Sequence, residues 1–394
     1  MYIKLVNNFS TNIKWLLNML NEDVFFISGW DKSPQVLNLD NSIIEECLKS
    51  REHQNTYIMS KDMEETKKQI INEFYMNTHE LEINCFTIVS NGTSAAFISL
   101  LQMYKKKFKN ILFIGPIYFT YYNLVDIFQS KLFYWNINPF CDIVIDYDIL
   151  KSELIENNIE CIIITLPLFG TGVSLDFNVL KQLLAICNDT SKYLIIDYVY
   201  GGMEWGNSNN LHNYFLIDMA LKSKYCILYE SISKKIFLNG IKSAIIYSNP
   251  EIIKQINIDS EICQGGISFV QESLLNAIYE HRFKSSIIKT IQEAINYAQN
   301  NYNLIKTLLM DTDFLISKSN SGYFTLIAIP LKYFKNKDDK SIAKEICQKY
   351  NILTIPHSRY YFNLPNFYCF RVNLAQETYL LISAIKKLLD IRNY

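Results

Sequence analysis

At 394 residues the chain exceeds what one small hydrophobic core supports, so two domains are expected. Its formal net charge of −1 removes the electrostatic footprint of a nucleic-acid or anionic-membrane binder, and no run is long and apolar enough to cross a bilayer. Nine cysteines without a CxxC pair read as reduced thiols of a cytoplasmic protein, and the opening residues predict no secretory leader.

The predicted elements begin with a short helix over residues 12–20 and a strand over 24–30 that runs into a turn at Gly29. Residues 42–50 and 62–76 have helical spacing; in the second segment Met63, Ile70, Ile71 and Phe74 form the apolar face. Strands and helices then alternate. Strands are predicted over 85–89, 110–114, 131–135, 161–165 and 193–196, with helices over 95–104, 121–129, 148–157 and 176–188 between them. Further strands follow over 225–229 and 243–247. Short, wholly apolar strands in this rhythm imply a mainly parallel sheet sandwiched by helices, whose ligands sit at the carboxyl ends of the strands. After residue 267 the pattern changes to helices over 271–279, 285–309, 339–350 and 377–391, with strands over 314–316, 323–329 and 352–355. This predicts a smaller α+β domain joined by the long helix. The expected division is an N-terminal segment, 1–40, belonging to the small domain, a large domain over 41–275 and the small domain over 276–394.

The strand ends carry groups with useful chemistry. Asn91-Gly92-Thr93-Ser94 opens a helix, where backbone N–H groups, the helix dipole and two hydroxyls can hold a phosphate; the plain alternative is an N-capped turn. Pro116-Ile117-Tyr118 puts an aromatic at the next strand mouth, able to stack on a planar ring, unless it is one more tyrosine of a tyrosine-rich chain. Asp197 ends an apolar strand. A carboxylate there can pair with a pyridinium N–H, or cap a short helix, and Tyr200 follows it. Ser231-Ile232-Ser233-Lys234 sets a lysine behind two hydroxyls, with Gly240 and the cation Lys242 beyond. A lysine amine forms a Schiff base with an aldehyde, and hydroxyls and a cation hold a phosphate, which points to pyridoxal 5'-phosphate. A solvated Lys-Lys loop is the alternative.

Taken together, these segments resemble the class I/II aminotransferases of the fold type I pyridoxal-phosphate enzymes over roughly residues 24–390. The match rests on the Ser-x-Ser-Lys run with Gly240 and Lys242 at the family's offsets, and on the order of Gly92, Pro116 and Tyr118, Pro167 with Thr171-Gly172, Asp197 with Tyr200, and Phe370-Arg371-Val372-Asn373. The resemblance implies that Lys234 holds the cofactor and shuttles a proton, Asp197 pairs with its ring nitrogen, Tyr200 bonds its phenolic oxygen and Tyr118 stacks on its ring. Gly92, Thr93, Ser94, Ser231, Ser233 and Lys242 would surround the phosphate. Arg371 would clamp the α-carboxylate of an amino acid, and Gly29 would line the substrate pocket. Tyr57 would reach the phosphate of a partner subunit, implying a homodimer with shared sites. Small amino and keto acids are the implied substrates.

The chain departs from the family at particular positions. The usual Asn-Pro-x-Asn-Pro-Thr-Gly run is Leu166-Pro167-Leu168-Phe169-Gly170-Thr171-Gly172, so Phe169 stands where a side-chain amide would donate to the cofactor. Lys242 replaces an arginine, keeping charge but losing the planar fork. Ala244 and Asp62 stand where glycines are usual. His357 and Arg359 lie in a run, 355–361, that aligns with a substrate-side loop; a surface loop is the alternative. The other histidines have no metal spacing, so no metal is expected. The expected activity is transamination. Elimination or replacement, cyclisation or oxidation of an amino acid is the alternative that Phe169 raises, and a non-catalytic binding protein is the third.

Overall fold

The structure is a computed structural model that describes residues 3–5, 14–29, 42, 43, 45, 57–75, 81–104, 108–206, 213–240, 242–335, 337–360 and 362–393. At its centre is an eight-stranded sheet in the order β1-β4-β3-β5-β6-β7-β8-β2. Its strands are β1 (Ile3–Leu5), β2 (Phe86–Ser90), β3 (Asn110–Gly115), β4 (Lys131–Asn136), β5 (Cys161–Thr165), β6 (Tyr193–Asp197), β7 (Cys226–Glu230) and β8 (Ser243–Tyr247). β3, β4, β5, β6 and β7 pair in parallel. β8 runs antiparallel to both β7 and β2, so β2 points the same way as the parallel strands. β1 is antiparallel to β4 at the far edge.

The alternation of side chains explains the layers. In β5, Ile162 and Ile164 point into one core with Leu180 and Leu183 of the helix Phe177–Thr190, whereas Cys161 and Ile163 point into another with Phe97 and Leu100 of the helix Gly92–Met103. A strand apolar on both faces needs cover on both, which the intervening helices supply. Each fully buried Ile or Leu contributes roughly 1.5–3 kcal/mol. β8 follows β7 without a crossover helix, which antiparallel neighbours permit. The connection therefore leaves and rejoins the sheet at the same edge.

A second sheet, β11-β10-β9, is antiparallel and consists of β9 (Leu315–Ile316), β10 (Phe324–Pro330) and β11 (Phe367–Asn373). The 29-residue helix His281–Leu309 leads into it. Ile287, Ile291, Ala294, Ala298 and Ile305 form its buried stripe. Asn301, also buried, donates its amide to the Leu374 carbonyl at 2.9 Å and the Gln376 carbonyl at 3.1 Å, tying the helix to the chain leaving β11. Among the described residues no helix is long and apolar enough to cross a membrane.

Several local expectations need correction. Residues 24–29 and 352–355 are not strands. They meet in a single bridge, Phe25 to Ile352, because only Phe25 N–H to Asn351 O and Leu353 N–H to Phe25 O form before the chain turns at residues 27–28. The N-terminal segment also divides: β1 joins the large sheet, while residues 25–28 pack beside β11. Helices Tyr214–Lys222 and Pro250–Gln264 were unforeseen, although both are announced by N-caps: Asn213 and Asn249 accept from Leu216 and Ile252 N–H. The helix expected over 42–50 lies mostly outside the described residues, and the helix near 12–20 is confined to Lys14–Leu17 in the described part.

Candidate active site

The ends of β2, β3, β5, β6 and β7 and the start of β8 border one cavity of about 410 Å³, which β10 and β11 close from the other side through Phe324 and Arg371. Gly92, Thr93, Ser94, Tyr118, Phe169, Asp197, Tyr200, Ser231, Ser233, Lys234, Lys242 and Arg371 all line it. Gly29, His357 and Tyr57 do not; Tyr57 is 86% exposed.

The turn Ile232–Lys235 separates two consecutive lysines. Lys234 lines the cavity. Lys235 turns inward to Glu230 at 3.2 Å, with both side chains buried, and Tyr247 donates to the same carboxylate at 3.1 Å. Tyr323 donates to the Lys235 carbonyl at 3.0 Å, fixing the turn from the small sheet. The register is therefore set by which lysine has a buried counter-ion. Burial pushes the Lys234 ammonium down to about 8, assisted by Lys242 and Arg371 and opposed by Asp197.

Asp197 is the last residue of β6 and is buried. Its carboxylate accepts from Tyr121 Oη at 2.5 Å and Val199 N–H at 3.2 Å, and Tyr229 donates to Tyr121 at 2.8 Å. Burial pushes the Asp197 carboxyl pKa up to about 7, opposed by those donors and by Lys234. A buried carboxylate so placed is poised to take a cationic partner.

The end of the cavity around Gly92 and Lys242 is polar. Gly92 begins its helix with φ +73°, the left-handed region that favours glycine, and a Cβ there would stand 3.9 Å from Lys242. Ser231 Oγ donates to the Ser243 carbonyl at 2.7 Å and lies 2.7 Å from Ser233 Oγ, so both hydroxyls are held at the turn. Helix N–H groups, hydroxyls and an ammonium form a donor set suited to a phosphate. Two buried cavity-wall oxygens, Thr165 Oγ1 and Asn239 Oδ1, have no partner among the described residues. The residues thus fit a phosphorylated, nitrogen-containing planar aldehyde. Among the described residues no cluster could hold a metal ion.

The opposite end is aromatic around one cation. Arg371, in the middle of β11, is 1% exposed. Its Nε donates to the Ser28 carbonyl at 2.9 Å, while Ser28 Oγ donates to the Arg371 carbonyl at 2.6 Å and accepts from Ile355 N–H at 3.0 Å. The guanidinium carbon lies 4.9 Å from the Phe324 ring centre and 5.7 Å from those of Phe169 and Tyr360. His357 is buried behind this group: a Cβ on Gly170 would stand 2.9 Å from its Cε1 and 3.4 Å from Arg371 Cδ, so glycine is required there. Burial and Arg371 push the His357 imidazolium down to about 3, leaving the ring neutral. Burial likewise raises the Tyr200 phenol, which stays protonated.

Ser28, Tyr121 and Asn239 entered the site without a sequence signal of their own. Tyr121 lies three residues beyond Tyr118, in the first turn of the helix Thr120–Ile127, and that spacing is the only hint the sequence offers for it.

Residues 37–383 match the family model for aminotransferase class I and II. Compared by sequence with curated proteins, the chain has no match. Among solved structures it is similar to a methionine aminotransferase of Escherichia coli (TM-score 0.79, 12% identity, 98% of this chain and 97% of that one). It is also similar to an aromatic aminotransferase of Pyrococcus horikoshii (TM-score 0.77, 15% identity, 97% and 100%) and to an aspartate aminotransferase double mutant of Thermus thermophilus (TM-score 0.78, 12% identity, 96% and 94%). At these identities the likeness concerns the fold.

Proposed function

The chain belongs to the class I and II aminotransferases, a family of pyridoxal-phosphate-dependent transferases, and on that premise we propose that it moves the amino group of an α-amino acid onto a 2-keto acid. The observation that carries this reading is the convergence on one cavity of Asp197 at the end of β6, Lys234 in the turn after β7 and Arg371 within β11 of the second sheet. In balance, the donor's Cα–N bond is exchanged for a C=O bond and the acceptor's C=O for C–N, so no external oxidant is consumed.

Bound pyridoxal phosphate supplies an aldehyde carbon that takes up the amino nitrogen and a ring that draws electrons from Cα. The phosphate would be held by Gly92, Thr93, Ser94, Ser231, Ser233 and Lys242, and the ring nitrogen by Asp197, which Tyr121 orients. Tyr118 would cover the ring and Tyr200 would donate to its oxygen. Lys234 would hold the aldehyde between turnovers. Its lowered pKa leaves about one amine in ten neutral at pH 7, against fewer than about one in a thousand for an exposed lysine, so it can accept the Cα proton and return it. Arg371 binds the α-carboxylate in a place already fixed by Ser28. The exposed Tyr57 supports a homodimer in which it reaches the partner's phosphate site. A large unit over 41–275 and a small one over 276–394 fit the two sheets.

The test is one turnover with amino acid and no keto acid. Stoichiometric pyridoxamine phosphate is expected. Cofactor that stays in the aldehyde form while amino acid is consumed would instead favour elimination or oxidation, the alternative that Phe169 raises.

A further inference from the structure

The cavity has two chemically different ends, and the substrate's side chain must occupy one of them. The end with Gly92, Ser231, Ser233 and Lys242 gathers the hydroxyls and an ammonium. The end with Tyr118, Phe119, Phe169, Tyr323 and Phe324 presents rings. Tyr118, Phe119 and Phe169, with Tyr360 behind them, form a connected collar. Phe169 lies 5.4 Å from Tyr118, 6.4 Å from Phe119 and 5.0 Å from Tyr360, while Phe119 lies 5.8 Å from Tyr360. Arg371 sits inside the collar, against the Phe169, Phe324 and Tyr360 faces.

Resting on the reading above, we propose that this protein takes neutral α-amino acids with a large apolar or aromatic side chain and rejects those with a second carboxylate. An α-carboxylate at Arg371 and an amino group at Lys234 leave the side chain among the rings. Among the described residues, Lys234, Lys242 and Arg371 are the only cations lining the cavity. The first two serve the cofactor and the third the α-carboxylate. A side-chain carboxylate would leave water with no further cation among the described cavity-lining residues to receive it, and a buried unpaired charge is strongly disfavoured. His357 does not serve instead, since it stays neutral behind Gly170. An aromatic or branched side chain gains offset and edge-on contacts with the collar. Phe169 is the specificity-determining residue, because its ring joins the Tyr118 side of the cavity to the Arg371 side.

Two measurements on the pyridoxal-phosphate-loaded protein test this. The first is the dissociation constant of unreactive carboxylates by calorimetry. 3-Phenylpropanoate should bind at least about tenfold more tightly than succinate, and Phe169→Asn should erase most of that difference. The second is kcat/KM for formation of pyridoxamine phosphate, where L-phenylalanine or L-leucine should exceed L-aspartate by about 100-fold or more. Equal or tighter binding of succinate, or preferred turnover of L-aspartate, overturns the substrate assignment and leaves transamination standing. Binding of 3-phenylpropanoate with no amino acid producing pyridoxamine phosphate keeps the pocket assignment and overturns the activity. Insensitivity of both carboxylates to Arg371→Lys would remove the carboxylate site on which both rest.

Discussion

The two walls of the cavity are built on different plans. The wall of the large sheet is a row of strand ends, each delivering one group: Gly92 after β2, Tyr118 after β3, Phe169 after β5, Asp197 at the end of β6 and Lys234 after β7. Parallel strands bring such groups to one edge through backbone pairing alone. The wall of the small sheet turns on one charged group, an arginine in mid-strand, aimed by a residue 343 positions away in the chain. The first wall is robust to the identity of neighbouring side chains; the second depends on one hydroxyl and one carbonyl.

The largest expected effect separates neighbours on the first wall. Lys234→Ala should abolish borohydride-trapped cofactor and lower kcat by about 10⁴-fold, with little change in thermal stability. Lys235→Ala should do the reverse. It removes the Lys235 ammonium from the buried Glu230 carboxylate, lowering stability by roughly 3–5 kcal/mol in denaturant titrations, while the trapped cofactor stays on Lys234 by peptide mapping. Adduct on Lys235 in the wild type would collapse the distinction.

The second wall should break at Arg371 and then at Ser28. Arg371→Lys should raise KM for the amino acid by about 10- to 100-fold, since the guanidinium fork is lost. Ser28→Ala should raise KM by up to about tenfold with kcat nearly unchanged, because one buried hydrogen bond to β11 disappears. Ser28→Thr should restore it. A fall in kcat alone would mean that Ser28 does not act through carboxylate binding.

Tyr121→Phe probes the link between β6 and its helix neighbour. Loss of the phenol donor pushes the Asp197 pKa further up, so less of it is ionised at neutral pH. A kcat reduction of about tenfold and a shift in the visible absorption of bound cofactor are expected. An effect of similar size is one of pH. Lys234 must be neutral to capture the aldehyde, and its range lies at about 8. The capture rate should climb as pH rises through that value and level off above it, gaining about tenfold over pH 7. A rate still rising steeply at pH 10 would mean an unperturbed lysine.

These two plans also explain what was legible in the sequence. β5 and β6 are unbroken apolar runs ending in a polar residue, so their place and their terminal Asp197 could be read from composition and order. The turn after β7 was readable because Ser231, Ser233 and Lys234 carry their chemistry in one short run. Ser28 was not, because nothing in the run 24–30 says that it ends against β11. Its extended appearance instead suggested a strand that tertiary contacts reduce to one bridge. Likewise Gly29 drew attention as the obvious turn residue, while its neighbour makes the contact with Arg371. Phe169 could be seen as a departure, but its role as the hinge of an aromatic collar depends on Tyr360, far along the chain.

The reversed direction of β8 has a consequence for ligand retention. Because the chain leaves β7 and re-enters β8 at the same end of the sheet, Lys234 and Lys242 would act as two teeth of one chelating segment, gripping opposite ends of a bound pyridoxal phosphate. Once one has engaged, the other meets its end of the ligand at an effective concentration of order mM or higher, as a short tether dictates. Loss of the covalent tooth therefore leaves the ionic one to rebind the cofactor before it diffuses away. The cofactor should consequently leave this protein far more slowly than either contact alone would allow.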